Sequence, residues 1–110
     1  SKQSLAIPFQ DGAGQWQALR PDFVFFHANQ DGTIRADIVD PHGTHLADAL
    51  PKLRGLAEYA QAHGDAFGRI EAVAEIDGQL RVLDMKNDVV QAGVHAAQDA
   101  QSLYKAAPAY

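Results

Sequence analysis

The chain has 110 residues, 46% of them hydrophobic and 21% charged, with a net charge of −5 and no cysteine. These values describe one small globular domain; they exclude a disordered segment, a disulfide scaffold and a thiolate zinc site, and they fit a reducing, cytoplasmic setting. No apolar run approaches the ~20 residues of a membrane span, and an acidic chain is a poor general binder of nucleic acid, because phosphate contacts need Lys and Arg.

In chain order, Leu5 to Phe9 is a short apolar run, and Asp11 to Gly14 (DGAG) is a loop signal before a second short strand at Gln15 to Leu19. Asp22 to Ala28 (DFVFFHA) carries the strongest strand signal. Its aromatic and β-branched residues lie on both faces, as in an interior strand. Asn29 to Gly32 (NQDG) is a turn, and Ile34 to Asp40 (IRADIVD) is the next strand, with Ile34, Ala36 and Ile38 on one face and Arg35, Asp37 and Val39 on the other.

The period then changes. Leu50, Leu53, Leu56, Ala57 and Ala60 recur at helical spacing, with Asp48 as N-cap and Gly64 as the stop. Arg69 to Ile76 alternates as a strand, Asp77-Gly78 makes a tight hairpin into Leu80 to Leu83, and Asn87 caps a last helix running through Tyr104. The fold class expected is α/β: a small mixed sheet with an antiparallel hairpin, a β-α-β crossover over residues 34–76 and a C-terminal helix.

The stretch DIVDPHGTH, residues 37 to 45, concentrates two aspartates and two histidines between a strand and a helix. Hairpin geometry gives it a partner. If residues 30 to 32 form a three-residue loop with Gly32 left-handed, opposing residue numbers sum to 62 and Asp22 faces Asp40. Cβ atoms so opposed lie about 4.5–5.5 Å apart. Two carboxylates that close repel unless a proton or cation lies between them, and Mg²⁺ suits such a pair. A two-residue loop would instead turn the two aspartates to different faces.

Pro21-Asp22 heading one hairpin strand, with an acid at the end of the next and a basic residue two places on, resembles the PD-(D/E)xK nuclease superfamily. The text RPDFVFF, ADIVDPHG, LPKLRGLAEYA and LRVLDMKNDVV resembles more closely the restriction-endonuclease-like C-terminal domain of DEAD/DEAH-type helicases akin to type III restriction subunits. The resemblance covers most of the chain from Arg20 onward. It implies a domain, residues 1–110, excised from a longer helicase chain, working on DNA beside the helicase motor in bacterial defence or DNA processing. It further implies that Asp22, Asp40 and the main-chain carbonyl of Pro41 hold Mg²⁺ or Mn²⁺ for phosphodiester hydrolysis. His42 stands where the superfamily has its catalytic lysine, and Lys52, early in the following helix, is the candidate for a relocated one. The helix that usually precedes the first strand is missing or lies upstream of Ser1.

Other readings compete. Replacement of the lysine by His42 and the acidic balance fit a non-catalytic DNA-sensing or docking module. His42, His45 and Asp48 carry H-x-x-H spacing, a weak zinc signature without cysteines. Asp37 reads as a solvated strand residue, His27 as packed at a sheet edge, and Trp16, Tyr59 and Tyr104 as core or interface aromatics.

Overall fold

A computed structural model describes residues 5–45 and 47–110; the start of the chain at Ser1 lies outside them. Strands β1 (Ile7–Gln10) and β2 (Trp16–Leu19) form an antiparallel hairpin of their own. Its loop is closed by Asp11, whose Oδ1 accepts from the N–H groups of Ala13 and Gln15, both at 2.9 Å. These bonds hold the Asp11 carboxyl below its usual range, the Gln15 amide contributing most. Ile7, Phe9 and Leu19 bury one face of this hairpin. Among the described residues a β-hairpin, and not a helix, precedes the main sheet.

The main sheet has four strands in the order β3-β4-β5-β6: β3 (Phe23–Ala28), β4 (Ile34–Pro41), β5 (Phe67–Ile76) and β6 (Gln79–Asp84). β3–β4 and β5–β6 are antiparallel, whereas β4 and β5 run parallel through helix α1 (Ala49–His63), so the expected mixed α/β class and β-α-β unit are present. Ala49, Leu53, Leu56, Ala57 and Ala60 form the buried stripe of α1, and with Ile38, Ile70, Met85, Val94 and Tyr104 they make one continuous core. Asp77 and Gly78 both have positive φ, 52° and 79°, as a two-residue β5–β6 hairpin requires.

Four local expectations differ from the structure. The side chain of Asp48 makes no cap bond to α1; it pairs with Lys52 instead. Gly64 does not stop the chain in the left-handed region: its φ is −55°, and a 3₁₀ turn, Gly64–Ala66, carries on to β5. The C-terminal helix is two helices, α2 (Asp88–Ala96) and α3 (Ala100–Ala106). Asn87 caps α2, accepting from the N–H groups of Val89 and Val90, and Asp99 caps α3 at Ser102 N–H. The break is held by Arg54, whose guanidinium donates to the carbonyls of Val94 (3.4 Å) and Ala97 (2.7 Å). A helix end left without i+4 donors is thereby satisfied from α1.

The fourth difference is the place of β3. It is an edge strand, with Phe25 53% and Phe26 74% exposed. At the opposite border the C-terminal tail covers β6: Val82 N–H donates to Pro108 O (3.1 Å), Tyr110 N–H to Leu80 O (2.9 Å), and Arg81 reaches Ala107 O (2.7 Å).

Candidate functional site

The β3–β4 hairpin adopts the three-residue loop. Asn29 N–H donates to Thr33 O at 2.7 Å, Gly32 N–H to Asn29 O at 3.1 Å, and Gly32 has φ +88°. The register pairs Phe23 with Val39 and His27 with Arg35, so opposing numbers sum to 62 and Asp22 falls across from Asp40 just beyond the strand end.

The two aspartates do not meet carboxylate to carboxylate, however. The main-chain N–H of Asp22 donates to Asp40 Oδ1 at 3.0 Å, and Asp22 itself is exposed. Asp40 lies on the helix-covered face and is only 3% exposed. Its other oxygen, Oδ2, stands 3.0 Å from His42 Nε2. Despite that distance neither atom has an aligned hydrogen-bond partner. The contact is therefore a close approach of two buried ligand-type atoms, attractive when the imidazole carries a proton.

His42 is held in place because its N–H donates to Val73 O at 2.8 Å, one rung beyond the Pro41–Val73 pair. Pro41 ends β4 and is exposed. Beneath the pair, the Tyr104 hydroxyl of α3 is buried and also lacks a hydrogen-bond partner. Burial first, and the charge of Asp40 second, raise the Tyr104 phenol above its usual range. Of the core and interface places the sequence allowed for Tyr104, the structure has the core; its distance along the chain hid its electrostatic tie to Asp40.

Three buried polar atoms without aligned partners mark a polar gap in an otherwise apolar core. The hydroxyl of Tyr104 is expected to contribute nothing to stability: Tyr104→Phe leaves the urea midpoint unchanged or gains about 1 kcal/mol. A loss of that size would show that the hydroxyl is bonded, through water, to its neighbours.

Lys52 does not reach this place; its Nζ pairs with Asp48 Oδ2 at 3.1 Å on the helix. Nor do His42, His45 and Asp48 converge, and no group of three or more His, Cys, Asp or Glu side chains able to hold an ion occurs among the described residues. The zinc reading is thereby set aside. Asp37 is not solvated as its alternation suggested: it is 7% exposed and lies between His27 (3.4 Å) and Arg69 (3.3 Å). The reason is a register shift between Ala36 and Asp37 that leaves Gly68 unpaired, and a Cβ at Gly68 would collide with Asp37 Oδ1. Trp16, expected in a core or interface, is 66% exposed on β2.

A divalent ion is implied only by the resemblance, and the residues fit it in part. Two cis ligands at about 2.0–2.1 Å from one ion lie roughly 3 Å apart, which is the spacing of Asp40 Oδ2 and His42 Nε2. An Asp/His pair suits Mn²⁺ better than Mg²⁺, because imidazole is a softer donor than oxygen. Asp22, in register beside them, would supply a further carboxylate only by a turn of its exposed side chain.

Fold and site together define a small mixed α/β domain with a buried carboxylate–imidazole pair at the carboxyl end of its parallel strand. The chain belongs to the YagJ family, whose family model matches residues 1–110. It is similar to Protein YagJ of Escherichia coli (strain K12), with 54% identity over 103 residues, which is 94% of this chain and 42% of that protein. The chain thus spans less than half the length of that relative. No solved structure matches it. No helix among the described residues is long and apolar enough to cross a membrane.

Proposed function

We propose that this domain is a metal-dependent phosphodiester-hydrolysing module of nuclease type, with Asp40 and His42 as the inner pair and Asp22 beside them. The observation that carries the reading is the buried, 3.0 Å approach of Asp40 Oδ2 to His42 Nε2 with no aligned hydrogen bond for either atom. A bound divalent ion supplies polarisation of a phosphoryl oxygen and a more acidic water. Asp40 contributes a fixed charge, oriented by Asp22 N–H. His42, anchored through its main-chain N–H to Val73 O, would give Nε2 as the second ligand. DNA as substrate and a helicase motor as neighbour are what the resemblance to helicase-associated endonuclease domains supports.

A second reading is favoured by a different observation. Arg35, Arg54, Arg81 and Lys86 donate to main-chain carbonyls, while Lys52 and Arg69 pair with Asp48 and Asp37. Cations engaged in this way are withdrawn from phosphate binding, which suits a non-catalytic docking module. Titration with Mn²⁺ and Mg²⁺, followed by amide shifts, separates the two. The metal reading expects saturable shifts with Mg²⁺ and saturable line broadening at lower concentrations of Mn²⁺, both centred on Asp22, Asp40 and His42; uniform insensitivity there leaves the docking module as the function.

A further inference from the structure

The sheet has one border closed and one open. β6 is covered by residues 107–110, whereas β3 (FVFFHA) carries none of the usual protections of an edge: no proline, no lysine and no bulge against its partner. Its hydrogen-bonding phase follows from the loop. Because Asn29 bonds to Thr33, the odd-numbered residues of β3 turn their N–H and C=O groups towards β4. Val24, Phe26 and Ala28 therefore present theirs at the open border.

We infer that this border is the seam of a two-fold dimer in which β3 pairs antiparallel with β3 of a second copy, so that two four-stranded sheets join into one of eight. The phase selects the register. Opposing numbers that sum to 52 place Phe26 against its own counterpart and Val24 against Ala28, engaging all three free residues of each strand. A sum of 50 would need Asp22, whose N–H is already given to Asp40.

Chemistry agrees with a second copy as the occupant. β3 contains no acidic residue, so the chain's charge of −5 is kept off the seam. Of the acids flanking it, Asp37 is matched by Arg69 and His27, and the exposed Asp22, just before the strand, falls across from the neutral Gln30 of the other copy. The register sets His27 against Phe25 of the other copy, beside the stacked Phe23–Phe25 rings at 6.0 Å. Phe23, Phe25, Phe26 and Ile34 are 49%, 53%, 74% and 71% exposed. The three phenylalanine rings on β3 add apolar contact to the strand backbone at the seam, an interface at the small, weakly held end of the range.

The test is sedimentation equilibrium of the 110-residue chain from low micromolar to several hundred micromolar. A monomer–dimer equilibrium is expected, weakened about 100-fold by Phe26→Asp, a change at an exposed position that leaves the fold's circular dichroism intact. Register is read by oxidation: the chain has no cysteine of its own, so Phe26→Cys should cross-link to its counterpart and Phe25→Cys should not. A monomer at every concentration overturns the proposal, including the case in which the border receives a strand from another protein. So does a dimer indifferent to Phe26→Asp, or one in which Phe25→Cys is the variant that cross-links. None of these results depends on metal binding.

Discussion

Replacing Asp40 by alanine is expected to abolish the site-specific Mn²⁺ broadening of amide signals and to cost about 3 kcal/mol of stability. The carboxylate is buried, accepts the Asp22 N–H and faces His42, so truncation leaves a main-chain donor and an imidazole without their acceptor. Asp40→Asn separates structure from site. It keeps the volume and an oxygen for Asp22, so the unfolding free energy should fall by less than about 1 kcal/mol, yet the anionic ligand is gone and the metal response should vanish with it. If the asparagine variant responds to Mn²⁺ as the parent does, Asp40 is a structural hydrogen-bond acceptor and nothing more.

Gly55→Ala should be as damaging as the loss of Asp40, by a different route. In most helices that substitution gains about 1 kcal/mol. Here a Cβ would overlap Phe9 Cβ and press within 3.0 Å of Pro8 O and 3.2 Å of Phe9 Cα. β1 lies directly on the α1 backbone, and its main chain cannot yield as a flexible side chain would. Overpacking of this kind costs about 1–3 kcal/mol and often more when backbone must shift. The expected result is detachment of the β1–β2 hairpin, with Ile7, Phe9 and Leu19 exposed. Trp16, the single tryptophan and a β2 residue, reports it by fluorescence at lower urea than circular dichroism does. Gly93→Ala is the matched control in α2: its Cβ meets only Leu103 Cδ2 at 3.9 Å, and the helix should tolerate it or gain.

Element order was readable because the chain's periods are clean. Alternation marked β4 and β5, the leucine and alanine spacing marked α1, and Asn87 marked the start of α2. The register of the central hairpin was one of two that NQDG allowed, and the structure has the three-residue loop, with Gly32 in the left-handed position it needs. Depth was not readable. Apolar residues on both faces of β3 matched an interior strand, but periodicity reports which faces are apolar, not whether a neighbour is there to cover them. Asp37 and Asp40 sit on opposite faces and both are buried, one through the unpaired Gly68 and the other beneath α3. Those circumstances depend on residues far along the chain. The break between α2 and α3 was hidden for the same reason: the bonds that allow it come from Arg54, in another helix.

The short tail from Ala107 to Tyr110 has a consequence for how far such a sheet can grow. By occupying β6 it leaves β3 as the open border of the four-stranded sheet among the described residues, and two such sheets joined there offer no further border of that sheet. Residues 107–110 thereby divide finite pairing of this sheet from open-ended growth, and removing their bonds to β6 would give the sheet a second border at which to propagate.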